Sequence, residues 1–213
     1  MNKTPQKALV ICNGVAPNQK HLTNYANECD FIICADGGAN IARKAKLKPN
    51  LIIGDLDSIE PETKKYFSRV PTLLLQDQYS TDLEKALTYL VNRKFNSAIV
   101  VGATGKRLDH TMANYSIYSK YSKFISLLFI DEQATIHLVK NKIELIVERG
   151  QQISLSPLGK CTGVKTTGLQ YPLFGETLAI GLREGISNIA TSKKISVTVA
   201  KGELLLFVLR VTE

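Results

Sequence analysis

The chain contains no tryptophan, and its four cysteines, Cys12, Cys29, Cys34 and Cys161, lack the paired spacings that hold zinc. Any flat aromatic contact to a ligand therefore falls to tyrosine or phenylalanine. Cys12 and Cys34 lie in apolar runs and are expected to be buried, reduced thiols. No apolar run is long enough to span a membrane, and Met1 to Pro5 carries no signal-peptide pattern, so a cytoplasmic protein without membrane partners is expected. Neither Gly-x-x-x-x-Gly-Lys-Ser/Thr nor Gly-x-Gly-x-x-Gly occurs, which excludes a Walker loop and the full dinucleotide fingerprint. The net charge is +8 and the pI about 9.3, yet no basic run exceeds two residues and no aromatic stripe interleaves them. That distribution argues against a nucleic-acid partner and suits a small anionic substrate.

Aspartate is also missing from one part of the chain: every one lies at or before Asp131, and all later acids are glutamates. The texture changes at the same place. Before it, apolar runs at Ala8 to Cys12, Phe31 to Ala35, Leu51 to Ile53, Thr72 to Leu75, Ala98 to Val101 and Ile125 to Ile130 alternate with helical patterns. Such alternation implies a parallel sheet covered on both faces. After it, short alternating strands are expected at Thr135 to Val139, Ile143 to Val147, Gln152 to Ser156, Thr177 to Ile180, Ile195 to Ala200 and Leu204 to Val211. Glycines punctuate them, as in a small antiparallel sandwich or barrel. With 213 residues, 44% hydrophobic, the chain can bury two modest cores, and the boundary is placed near Glu132, giving domains 1–131 and 132–213.

Five aspartates, Asp36, Asp55, Asp57, Asp82 and Asp109, stand at strand ends or helix starts in the first part. In Gly54-Asp55-Leu56-Asp57-Ser58 a buried-type strand stops at glycine and delivers two carboxylates two residues apart. Alternation along an extended chain would point both the same way. Convergent carboxylates repel unless a cation lies between them, and magnesium is held by one or two carboxylates with phosphate oxygens. Asp57 or Ser58 capping the helix near Pro61 is the bland alternative. In Asp36-Gly37-Gly38-Ala39-Asn40 a strand runs into a carboxylate and two glycines, leaving amides to face a phosphate or ribose, unless Asp36 is only a helix cap. In Asp77-Gln78-Tyr79-Ser80-Thr81-Asp82-Leu83-Glu84-Lys85, Thr81 and Glu84 form a capping box; Asp82 faces the helix dipole, and Lys85 reaches either phosphate or solvent. In Gly102-Ala103-Thr104-Gly105-Lys106-Arg107-Leu108-Asp109-His110, Arg107 suits phosphate or a salt bridge to Asp109, and His110 and Asn114, one turn apart on a helix, are placed to line the same pocket unless the histidine is only structural.

These motifs together resemble the thiamine pyrophosphokinase family over the whole chain. Thr167-Gly168-Leu169-Gln170-Tyr171-Pro172-Leu173 and Gly185-Ile186-Ser187-Asn188 resemble its thiamine-side segments. The resemblance implies a Rossmann-like α/β catalytic domain and a carboxy-terminal β-sandwich. It also implies a homodimer with active sites at the subunit interface, and transfer of diphosphate from ATP to the hydroxyl of thiamine, giving thiamine diphosphate and AMP. It assigns Mg2+ and catalysis to Asp55, Asp57 and Asp82. Nucleotide contacts fall to Asp36, Gly37, Gly38, Gln78, Thr81, Lys85, Gly102, Thr104, Gly105, Arg107 and Asp109. Tyr171, Ser187 and Asn188 would meet thiamine, whose thiazolium cation suits an aromatic wall. Two positions depart from the pattern: Lys106 stands where many relatives have glycine, adding a phosphate-reaching charge, and Tyr79 stands where some have aspartate. An enzyme acting on another heterocyclic alcohol such as a pterin is the alternative, opposed by the thiamine-side segments. A non-catalytic nucleic-acid module is opposed by the aspartates, which repel a phosphate backbone.

Overall fold

A computed structural model describes residues 7–77 and 79–210. Two compact units divide between Glu132 and Gln133. The first is built from β1 (Lys7–Ile11), α1 (Gln19–Asn27), β2 (Phe31–Ala35), α2 (Gly38–Lys44), β3 (Leu51–Gly54), α3 (Pro61–Tyr66), β4 (Thr72–Leu74), α4 (Asp82–Asn92), β5 (Ser97–Val101), α5 (Leu108–Tyr121) and β6 (Ser126–Ile130). Its strands pair in parallel in the order β6-β5-β1-β2-β3-β4.

The central strands are almost wholly apolar because both faces are covered. Leu9 and Ile11 of β1 join one core with Leu22 of α1 and Ala39 and Ala42 of α2. Val10 alternates to the other face, where α4 packs across β1, β2 and β3. The apolar stripe expected on α4 is realised, with Leu83, Ala86, Leu87 and Leu90 all buried. The capping box at its start is half realised. Thr81 Oγ1 accepts the Glu84 amide at 3.3 Å, whereas the Glu84 carboxylate turns to Lys120 and the Tyr121 hydroxyl on α5.

The second unit comprises β7 (Ala134–Val139), β8 (Lys142–Ile146), β9 (Gln152–Pro157), β10 (Lys160–Thr167), β11 (Phe174–Ala179), β12 (Gly185–Ile189), β13 (Lys194–Thr198) and β14 (Leu204–Leu209). All its pairings are antiparallel, in the orders β12-β9-β14-β7 and β11-β10-β13-β8. Ile153, Leu155, Leu204 and Leu206 from the first set share a core with Cys161, Val164, Leu178, Ile195 and Val197 from the second. This is the sandwich alternative of the two that strand texture left open. Strands β10 and β12 were not anticipated. Both are polar, and both lose register, β10 between Cys161 and Val164 and β12 between Gly185 and Asn188. Their pairing is thus set by neighbours more than by their own pattern.

Candidate active site

Strand order in the first unit reverses between β1 and β5, since the chain leaves β1 toward β2 and leaves β5 toward β6. Open α/β sheets bind ligands at the carboxyl edge beside such a reversal. The two loops that emerge there are stitched together. Gly14 N donates to Gly102 O and Val15 N to Thr104 O, both at 2.7 Å. A Cβ at Gly14 would lie 2.1 Å from Thr104 O, so only glycine permits this approach. A cleft of about 490 Å3 opens at this edge, lined by Cys12, Asn13 and Gly14, by Asp55 and Ser58, by Asp77, Ser80 to Leu83 and Lys85, and by Gly102 to Thr104, Lys106, Arg107, His110, Thr111 and Asn114.

Asp36, Asp55 and Asp57 each place a carboxylate oxygen within 4.8 Å of the others. The reason differs from simple alternation. Strand β3 ends at Gly54, and Leu56 takes a left-handed φ of 66°, which folds the chain back between the two aspartates. Asp57 N then donates to Asp55 Oδ1 at 3.4 Å. Asp36 also has a positive φ, 44°, and such non-glycine residues typically cost about 1–3 kcal/mol each. Neither Asp57 nor Ser58 caps α3, whose N-cap is Glu60, and Asp36 caps nothing through its side chain, because the N-cap of α2 is Gly37. Instead Asp36 is 4% exposed and its Oδ1 has no hydrogen-bond partner among the described residues. A buried carboxylate oxygen left without a donor, beside two further carboxylates, fits a hard divalent cation.

Asp82 stands apart from that trio. Its Oδ1 accepts from Lys85 Nζ at 3.2 Å, and the Lys85 side chain is 5% exposed, so this lysine lines the cleft as a buried, paired cation and does not extend into solvent. Burial raises the Asp82 pKa against the opposing effect of Lys85, with Asp36 and Asp55 adding to the rise. Gly54 makes the arrangement possible, for a Cβ there would lie 2.9 Å from Asp82 Oδ1 and 3.0 Å from Asp36 Cβ. Thr81, expected at the nucleotide, has its hydroxyl engaged as the α4 cap. Asp77 lines the cleft and is held by the Ser80 hydroxyl and the Tyr79 amide, which lower its pKa. Gln78 lies outside the described residues.

Beyond β5, Gly102 and Gly105 have φ of 66° and 102°. Thr104 Oγ1 donates to Asp131 Oδ2 at 3.2 Å, and the Ala103 carbonyl accepts from Asn114 Nδ2 at 2.7 Å. Arg107 forks onto Asp109 through Nε at 3.1 Å and Nη2 at 2.5 Å, which pulls the Asp109 carboxyl down to about 2. Gly37 and Gly38 serve close packing: a Cβ at Gly38 would lie 1.9 Å from Ile11 O, and one at Gly37 2.3 Å from Asn13 Nδ2. These two glycines, together with Asp36, Asp57, Gly105 and Asp109, are outside the cleft lining.

In the second unit Tyr171 is 65% exposed. Asn188 is buried, and its carboxamide is engaged with backbone, accepting from Tyr171 N and Ile189 N and donating to Tyr171 O. These contacts hold the Tyr171 segment in place and leave one of the two Asn188 amide donors uncommitted in those bonds. Ser187 sits in the β12 irregularity with φ 60°, its amide donating to Ser154 Oγ at 3.0 Å.

Two family profiles match the chain, "Thiamin pyrophosphokinase, catalytic domain" over residues 22–129 and "Thiamin pyrophosphokinase, vitamin B1 binding domain" over residues 133–204. Thiamine pyrophosphokinase 1 of Oryza sativa subsp. japonica is 30% identical over 195 residues, spanning 78% of this chain and 74% of that protein. The chain belongs to the thiamine pyrophosphokinase family. Its activity is that of a transferase, moving diphosphate from ATP to thiamine. Thiamine pyrophosphokinase of Bacillus subtilis (strain 168) is 29% identical, spanning 87% of this chain and 90% of that protein. Solved structures of thiamine pyrophosphokinases share the fold. That from Bacillus subtilis has a TM-score of 0.85 at 24% identity, covering 97% of this chain and 100% of that one. That from Candida albicans has 0.84 at 18% identity, covering 96% and 88%.

Three asparagines support this thiamine pyrophosphokinase cleft: Asn114 lines it beside His110 as the sequence suggests, while its anchoring bond and the parts played by Asn40 and Asn13 were not read from sequence. Asn40 binds both Ser58 O and Glu60 N, anchoring the loop that carries Asp55 and Asp57. Asn114 anchors the loop after β5. Asn13 lies where β1 ends, and the only signal for it was an Asn-Gly pair after a buried strand.

Proposed function

We propose that the cleft of the first unit is where diphosphate transfer takes place, with residues 1–131 as the catalytic domain and 132–213 as the thiamine-binding domain. The observation that carries this reading is the buried Asp36 oxygen, without a hydrogen-bond partner among the described residues, beside Asp55 and Asp57 at the carboxyl ends of β2 and β3, on one side of the strand-order reversal. Asp36, Asp55 and Asp57 would hold Mg2+. The ion, when bound, supplies neutralisation of polyphosphate charge and polarisation of the phosphoryl group.

The chain's own residues do the positioning. The thiamine hydroxyl oxygen forms a bond to the β-phosphorus of ATP while the bond from that phosphorus to the oxygen shared with the α-phosphate breaks. AMP leaves and the hydroxyl proton is released. Such a reaction depends on alignment and charge stabilisation more than on covalent help. Lys85 keeps Asp82 fixed at the cleft wall, Arg107 is steadied by Asp109 for phosphate contact, and the stitched loops after β1 and β5 present backbone to the nucleotide. Tyr171, ordered by Asn188, offers a face to the thiazolium cation, and Ser187 offers a hydroxyl.

A homodimer forms part of the same reading. Tyr171, Phe174, Ile180, Leu182 and Ile186 are all more than 60% exposed in the second unit, an apolar set suited to a second copy. The free thiols, three of them buried, suit a reducing cytoplasm. Among the described residues, no helix is long and apolar enough to cross a membrane.

The deciding experiment is phosphorus NMR with chromatography on purified protein, thiamine, ATP and magnesium. Equal amounts of AMP and thiamine diphosphate are expected. ADP with thiamine monophosphate would overturn attack at the β-phosphorus.

A further inference from the structure

Building on the assignment of this cleft to ATP, we propose that Lys106 is the side chain that grips the polyphosphate tail, and that Asn13, backed by Gly37, sets its position. Three lysines and arginines line the cleft: Lys85, Lys106 and Arg107. Lys85 is paired with Asp82, and Arg107 is forked onto Asp109. Lys106 differs, because its Nζ donates at 3.0 Å to Asn13 Oδ1, a neutral carboxamide, and it forms no ion pair among the described residues. Its positive charge is therefore uncompensated, in a cleft whose wall also carries Asp55, Asp77 and Asp82. A polyanion entering there meets in Lys106 a cation that shares its charge with no carboxylate, alongside the Arg107 that Asp109 steadies.

The position of that cation is built in. A Cβ at Gly37 would come within 2.3 Å of Asn13 Nδ2 and 2.5 Å of its Cγ, so the absent side chain is what allows the carboxamide to stand where it accepts from Lys106. From the other direction, Gly105 precedes Lys106 with its α-carbon against Val15, and the Val15 amide is bonded to Thr104 O. An ammonium has three donors; with one on Asn13, two remain for phosphate oxygens.

The test is titration calorimetry of the full chain with magnesium and, separately, ATP, AMP and inorganic tripolyphosphate, in the absence of thiamine. In Lys106→Gln, ATP and tripolyphosphate should bind about tenfold more weakly or worse, while AMP, lacking the tail, stays within about twofold. Asn13→Ala, which keeps the cation but frees it, should lose only a few-fold. Lys123→Gln removes the same net charge from an exposed position beyond the far end of α5 and should change nothing. Unchanged tripolyphosphate affinity in Lys106→Gln overturns the proposal, as does an equal loss in Lys123→Gln, which would trace the effect to overall charge. The tripolyphosphate arm separates this from the catalytic reading. Failure of wild-type protein to form AMP and thiamine diphosphate would defeat that reading while a Lys106-dependent tripolyphosphate affinity still stood.

Discussion

At the scale of single residues, the cleft holds side chains that folding alone would not choose. Asp36 is buried with one oxygen lacking a donor, and Asp55 and Asp57 bring further negative charge to it. Replacing Asp36 with asparagine keeps the side chain's size but removes a charge from the group of three carboxylates, so the metal-free protein should melt no lower than wild type. Turnover should be lost with it. Thermal melts with and without magnesium check this: the wild-type midpoint should rise on adding the ion, and the variant's should not. Asp55→Asn and Asp57→Asn should each reduce kcat by about a hundredfold or more while the fold is kept, read from initial rates and circular dichroism. Tyr171→Ala should raise the KM for thiamine much more than that for ATP if the ring faces the thiazolium cation as proposed. The aspartates were legible because carboxylates clustered after apolar strands have few structural uses. The left-handed Leu56 that makes two of them converge was not, since nothing in an Asp-Leu-Asp string announces a positive φ at leucine. Nor was the burial of Lys85, which only the packing of α4 decides.

At the scale of elements, α2 comes close against the end of β1 at Gly38. A methyl group at Gly38 would lie 1.9 Å from the Ile11 carbonyl oxygen, a backbone atom with little freedom to give way. Gly38→Ala should therefore lower the unfolding free energy by more than about 3 kcal/mol in urea titrations. Gly150→Ala is the contrasting case. That position meets nothing within 4 Å but has φ of 86°, so its cost should be only about 1–2 kcal/mol. The six strands of the parallel sheet were legible as apolar runs; for the central ones burial on both faces leaves little room for polar residues, whereas the edge strand β4 is apolar though all three of its residues are exposed. In the sandwich the same reasoning missed Lys160–Thr167 and Gly185–Ile189, where glycine, serine and threonine at register breaks hide strands held by their partners.

At the scale of the whole molecule, the buried thiols give stability a dependence on pH. Burial raises Cys12 from 9.0 to about 12, with the Asp82 charge adding, and raises Cys34 further still. In the unfolded chain these thiols lose their protons near pH 9, whereas in the folded protein they keep them. The unfolded state is thus favoured as pH climbs, and each thiol lowers stability by about 1 kcal/mol per pH unit above 9 until its folded value is reached. Melting midpoints between pH 8 and 10.5 should fall, and the fall should be shallower in Cys12→Ala. The stitching of the loops after β1 and β5 has a consequence of another kind, in the order of assembly during synthesis. Lys7 pairs with Ser97, and the strands β2, β3 and β4 lie between them in sequence. A nascent chain carries its three clustered aspartates well before the strand that completes the nucleotide-side loop has left the ribosome. Long-range pairing of this kind is slow to close. The cleft is accordingly completed late, once β5 docks beside a strand made long before it and α5, next in the chain, brings His110, Thr111 and Asn114 to the lining.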